Sequence, residues 1–205
     1  MLARAEFIQM TREEKVKKLD EIANSIASCE VCPELCKIAT NPVPGEGDPE
    51  AEIMFVGEAP GAREDETGRP FVGAAGKFLE EMLASIKLKR SQVFITNIVK
   101  YRPPGNRDPL PEEIKACLPY LLAQIKVIEP KLVIFLGRHS MNVFFPELKI
   151  SQAHGQPVRR SGQVFLPLYH PAAALYNGAM RTTLLEDFAK IPQILKTIDK
   201  SILQN

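Results

Sequence analysis

Ile53-Met54-Phe55-Val56-Gly57-Glu58-Ala59-Pro60-Gly61-Ala62-Arg63-Glu64-Asp65 decides the fold. An unbroken apolar run reads as a strand covered on both faces, as in a parallel sheet whose crossover helices pack on either side. Gly57 and Gly61 bracket Pro60, so the strand is expected to enter a tight loop rather than a helix. Glu58, Glu64 and Asp65 follow at once, and open α/β sheets bind their ligands at the carboxyl ends of strands. A solvated acidic loop is the plain alternative; the surrounding chain argues against it.

Downstream, three more strands alternate with helical patterns. Val93–Val99 and Leu132–Gly137 are apolar runs, and Val164–His170 follows a turn spanning Pro157–Gly162. Between them, Phe78, Leu79, Met82, Leu83 and Ile86 recur at helical spacing, and Pro111-Glu112-Glu113 opens a helix with Pro first and acids in the first turn. Pro119 is expected to bend that helix. A last amphipathic stretch runs from about residue 181 to 203, interrupted at Pro192. Upstream, Thr11-Arg12-Glu13-Glu14 is a capping box for a first helix, and the Pro- and Gly-rich segment 41–49 reads as loop. The expectation is one domain over residues 1–205, a three-layer α/β/α sandwich around a parallel four-stranded sheet.

The chain has 205 residues with a formal net charge of +1, so a nucleic-acid partner has to be held by a local basic patch. No apolar run approaches a membrane span and the first residues lack a signal-peptide core, so a cytoplasmic protein is expected. Three of the four cysteines, Cys29, Cys32 and Cys36, form C-x2-C-x3-C, and Cys117 stands apart. In a reducing compartment such a cluster points to a metal site, and four thiolates suit either zinc or iron–sulfur.

Glu58, Asn97 and His170 each fall at the end of a strand, where the sheet would bring them together. The segments that carry them, Gly57–Gly73 (GEAPGAREDETGRPFVG), Thr96–Pro109 (TNIVKYRPPGNRDP) and His170–Leu175 (HPAAAL), resemble the signature motifs of family 4 uracil-DNA glycosylases, in the family order. The resemblance runs from the first cysteine to the final helix. It implies a single α/β/α domain that flips deoxyuridine out of single- or double-stranded DNA and hydrolyses its N-glycosidic bond, acting as a monomer. On that footing Glu58 handles water and the cationic sugar, and His170 donates to uracil O2. Asn97 reads the uracil edge, Phe71 stacks on the base, and the Ala59 backbone N–H contacts it. Glu64 and Asp65 shape the same pocket, without separable roles. Lys100, Arg102, Arg107, Arg159 and Arg160 are the expected phosphate contacts, and Leu175 the wedge that enters the stack.

The resemblance also implies a [4Fe–4S] cluster, and here the chain departs from the family. The third ligand position is Tyr101, and an extra cysteine, Cys36, stands beside the usual pair. Cys29, Cys32, Cys36 and Cys117 are the expected ligands of a structural cluster. Three-cysteine ligation, tyrosinate ligation, zinc and no metal at all are the alternatives. A non-catalytic DNA-binding module and a nucleotide-binding redox protein are the rival functions. The second lacks both the Gly-x-Gly-x-x-Gly spacing and a Walker lysine. Family members that trap the base covalently use a His in an inserted basic loop; no such insertion is seen, and the remaining histidines are His139 and His154.

Overall fold

The computed structural model describes residues 10–28 and 32–203, so Cys29 lies outside the described residues. In chain order the elements are α1 (Arg12–Ala27), α2 (Pro33–Cys36), β1 (Glu46–Gly47), β2 (Ile53–Gly57), α3 (Ala62–Thr67) and α4 (Ala74–Ser85). Then come β3 (Phe94–Asn97), α5 (Pro111–Ile128), β4 (Leu132–Leu136), α6 (Arg138–Phe144) and α7 (Ile150–Ala153). The chain closes with β5 (Val158–Arg160), β6 (Gln163–Leu168), α8 (Gly178–Ala189) and α9 (Ile191–Leu203). A 3₁₀ turn, Pro171–Ala174, follows β6. No helix among the described residues is long and apolar enough to cross a membrane.

The sheet has the order β1-β3-β2-β4-β6-β5. Its four inner strands are parallel, as expected, and two short strands add antiparallel edges that the sequence reading assigned to loop and turn. Alternation along each inner strand builds the two cores. Met54, Val56, Val133 and Phe135 face one side, with Cys117 and Leu121 of α5 and Ile26 of α1. Ile53, Phe55, Ile134 and Leu166 face the other, with Phe78 and Leu79 of α4 and Leu184 and Phe188 of α8. Burial of these side chains on both faces, at about 1.5–3 kcal/mol for each large apolar residue, is what holds the sandwich.

Two local expectations differ from the structure. The segment after β2 was expected to remain loop, yet α3 begins at Ala62. Gly61 is extended at its N-cap, and its N–H is taken by the Glu64 carboxylate at 3.2 Å, so the breaker residues set the helix start. Helix α5 carries Pro119 inside it, where the bend is expected, and continues to Ile128. The C-terminal break falls at Lys190, with Pro192 tolerated in the first turn of α9. The Thr11 box closes in both directions, Glu14 N–H to Thr11 Oγ1 at 3.3 Å and Thr11 N–H to Glu14 Oε2 at 2.8 Å.

Candidate active site

A cavity of about 360 Å³ opens at the carboxyl edge of the sheet, lined by Glu58, Ala59, Glu64, Phe71, Asn97, Arg107, Asp108 and His170 among others. The parallel register puts Gly57 opposite Asn97 across β2 and β3, so the residues that follow each strand enter the cavity from adjacent positions. Asn97 forms its floor. It is 1% exposed, and its Oδ1 is the one buried side-chain polar atom without a hydrogen-bond partner among the described residues. An orphaned buried acceptor costs about 1–3 kcal/mol, so it marks a place where a donor is expected from outside the chain.

Phe71 forms a wall, with its ring centroid 5.8 Å from that of His170. Its backbone lies in the left-handed region at φ 51°, a strained state for a residue with a large side chain. Several contacts hold it there. Arg90 donates to the Phe71 carbonyl at 2.8 Å and also to that of Pro70. Glu64 Oε1 accepts from the Val72 and Gly73 N–H groups, each at 2.8 Å. Gly76 lets α4 approach so closely that a Cβ there would sit 1.9 Å from the Phe71 carbonyl oxygen.

His170 accepts the Ala172 N–H on Nδ1 at 3.1 Å, which leaves its proton on Nε2. Burial holds its pKa down to about 4, against a smaller upward pull from Glu64, so the ring is a neutral donor. Glu58 is half-buried, and burial pushes its carboxyl up from the usual range. His139 and Arg138 pull it down, and Asp108 adds to the rise. His139 Nε2 lies 3.9 Å from Glu58 Oε2 and 3.3 Å from Asp108 Oδ2, and it accepts from Arg138 Nε at 2.9 Å. The ligand atoms of Glu58, Asp108 and His139 lie within 4.8 Å of one another. Sequence reasoning missed His139 and Asp108; the available signal was that His139 follows Gly137 at the end of β4, a fourth strand end on the same edge.

The two acids after Glu58 separate cleanly. Glu64 lines the cavity and ties its loops together. Asp65 turns away: it accepts from the Thr40 N–H at 2.8 Å, the Thr40 hydroxyl at 3.0 Å and the Asn41 N–H at 3.3 Å, so it anchors the 40–41 segment and is not in the pocket.

The basic residues divide as well. Lys100 is 0% exposed, contrary to its expected place as a phosphate contact. Its ammonium donates to Thr96 Oγ1 at 2.7 Å and to the Asn97 carbonyl and Gln124 Oε1 at 2.8 Å, beneath the cavity floor. Arg107 lines the rim and chelates Glu113 at 2.9 and 2.6 Å, while half-buried Arg102 donates to Asn106 Oδ1 at 2.7 Å. Arg159 and Arg160 sit on β5, paired with Val164 and Gln163 at the opposite end of β6 from His170. At about 3.3 Å per residue that strand separates them from the cavity by roughly 17 Å, so they do not join the site. Leu175 follows the turn after His170 and is partly exposed.

Away from the cavity, Cys32 and Cys117 are buried in one core cluster together with Tyr101, and Cys36 packs against it. The Leu35 N–H bonds the Cys32 sulfur and the Lys100 N–H bonds that of Cys117, the arrangement that steadies thiolates. Burial pushes the Cys117 thiol up to about 11, a state a bound metal reverses. Cys36 is disulfide-bonded, and reduction must precede any metal binding by its sulfur. The Tyr101 hydroxyl donates to the Ile26 carbonyl at the end of α1. The free, buried sulfurs of Cys32 and Cys117, each met by a backbone N–H, are donors that fit a metal cluster.

Residues 44–195 match the model of the uracil DNA glycosylase superfamily. The chain is 50% identical over 189 residues to a type-4 uracil-DNA glycosylase of Sulfurisphaera tokodaii, covering 87% of this chain and 86% of that protein. It is 48% identical to the one from Archaeoglobus fulgidus (87% and 94% covered) and 41% identical to the one from Thermotoga maritima (91% and 97% covered).

Proposed function

The chain belongs to the type-4 uracil-DNA glycosylases of the uracil DNA glycosylase superfamily, and from its own residues we propose how it releases uracil. The orphaned Oδ1 of Asn97 carries the reading. It accepts from N3–H of a flipped uracil while the amide NH₂ donates to O4; cytosine offers the reverse pattern. The Phe71 ring stacks on the base, and the Ala59 N–H contacts it.

Breaking the glycosidic bond builds positive charge on the sugar and negative charge on the leaving uracil. Neutral His170 gives its Nε2–H to O2, where that negative charge gathers. A neutral donor already in place needs no proton transfer as the bond lengthens, and its fixed Nδ1 contact removes a reorganisation cost. Glu58, partly desolvated, orients the attacking water and offsets the sugar's charge, with His139 and Asp108 as its neighbours. Arg102 and Arg107 hold phosphates, and Leu175 fills the space left by the base. We infer a single domain that acts as a cytoplasmic monomer.

For the cofactor we infer a [4Fe–4S] cluster held by Cys29, Cys32, Cys36 and Cys117. Bound, it supplies a structural tie between the α1–α2 region and α5. Hydrolysis moves no electrons, and no step above depends on it.

The test is release of free base from oligonucleotides that differ at one position. Uracil should be released, with cytosine and thymine at least 100-fold slower. Equal release of cytosine would remove the role given to Asn97, and no release of uracil would reduce the chain to a DNA-binding module.

A further inference from the structure

Tyr176 is 96% exposed, the most exposed large apolar side chain among the described residues. It follows Leu175, itself 37% exposed, in the link between the turn that begins at His170 and helix α8. That link is fixed at both ends. The Leu175 N–H bonds the Ala172 carbonyl at 3.2 Å. Beyond Tyr176, Asn177 caps α8 by accepting the Met180 N–H at 3.2 Å, and its carbonyl takes the Arg181 N–H at 3.1 Å. The side chain has no hydrogen bond, ion pair or ring partner among the described residues. Ala172, Ala173 and Gly178 in the same segment are exposed and small, and a Cβ on Gly178 would meet nothing within 4 Å. A flat aromatic ring is thus displayed into open space from a braced backbone, on the segment that also carries a cavity-lining histidine.

We propose that Tyr176 is a stacking platform for the nucleobase next to the extruded uridine, steadying the strand behind Leu175 once the target has left the helix. The assignment rests on the glycosylase reading above. Any base has a flat face, so such a contact adds affinity without adding sequence preference, as a repair enzyme that must act in every sequence context requires. Because the ring is uncharged, its contribution should not depend on counterion release. Tyr176 acts as a positioning residue: it touches neither uracil nor the scissile bond.

The test uses the full chain with its metal loaded. Binding is measured to an oligonucleotide carrying an uncleavable abasic analogue flanked by 2-aminopurine, whose emission falls when it stacks. Single-turnover uracil release is measured alongside on the matching deoxyuridine strand. Tyr176→Ala should weaken binding about 10-fold, the typical loss of one base–aromatic stack. It should also brighten the 2-aminopurine, raise the half-saturating enzyme concentration and leave the maximal rate and the salt slope unchanged. Tyr176→Phe should behave as wild type. If wild type releases uracil but Tyr176→Ala binds and emits as wild type does, the platform is overturned and the glycosylase reading stands. A loss shared by Tyr176→Phe would overturn it too, by assigning the contact to the hydroxyl. A wild type that releases no uracil would overturn both.

Discussion

Gly57 and Asn97 face each other across β2 and β3 so closely that a Cβ on residue 57 would lie 2.3 Å from Asn97 Oδ1 and 2.6 Å from the tip of the Phe71 ring. The absence of one carbon atom therefore lets the base-reading amide and the stacking ring occupy their places together. Gly57→Ala should displace both. Overpacking of this kind costs about 1–3 kcal/mol, so the protein should still fold while uracil release drops at least 100-fold. Turnover near wild type would show that neither group needs its observed position.

Glu58 sits where burial disfavours its charge and raises its pKa. With a folded-state pKa raised above the unfolded one, the folded form binds its proton more readily, and stability is lost as pH rises through that interval. Glu58→Gln should thus stabilise the fold at neutral pH by about 0.5–2 kcal/mol while uracil release collapses, as measured by the denaturant midpoint and a release assay. A destabilised variant would contradict the desolvation argument.

His170 carries the opposite sign. Its pKa of about 4 lies below the ordinary value of 6.5. The unfolded chain binds the proton first, so the His170 contribution to stability is complete above the ordinary value and is lost as pH falls toward 4. Release should show no inflection from His170 near neutrality, with its loss confined to the acid limb. An imidazole titration followed by NMR should give a midpoint near 4; a midpoint above 6 would exclude the buried neutral donor.

Glu64 and Asp65 should separate by kinetics. Removing the Glu64 carboxylate strands the N–H groups of Gly61, Val72 and Gly73 and frees the Phe71 loop. Glu64→Ala should cost about 2–3 kcal/mol and depress turnover, with Glu64→Gln intermediate because its amide oxygen still accepts. Asp65→Ala should cost stability through Thr40 and Asn41 while turnover at saturating substrate stays near wild type. Equal turnover losses in both would mean that Asp65 reaches the pocket.

For the cluster, iron and sulfide per chain should fall on Cys117→Ser and on Cys36→Ser, and should stay unchanged on Tyr101→Phe, which removes the hydroxyl's bond to the Ile26 carbonyl. Loading that survives Cys36→Ser would remove Cys36 from the ligand set.

Much of this arrangement is legible in the chain because the inner strands are continuous apolar runs. Ile53–Val56 and Leu132–Leu136 read as strands of a doubly covered sheet, and the ends of β2, β3 and β6 locate Glu58, Asn97 and His170. What was not legible depends on tertiary environment. Strands β1 and β5 have two and three residues, too few for any periodic signal, and exist because an inner strand offers them an edge. Lys100 lies in a basic, proline-rich stretch that reads as surface, and only the packing of Gln124 and Pro44 around it shows its burial. Arg159 and Arg160 precede a strand whose direction carries them away from the cavity. The separate duties of Glu64 and Asp65, adjacent in sequence, follow from the turn of α3, which aims one at the Phe71 loop and the other at Thr40.

The central claim is that Glu58, Asn97 and His170 form one site for uracil removal. Its most direct test is single-turnover cleavage of a deoxyuridine oligonucleotide by wild type, Glu58→Gln, Asn97→Ala and His170→Ala, with native folding checked for each. The account predicts uracil release by wild type and a loss of at least 100-fold in every variant. Wild-type rates in any folded variant would contradict it.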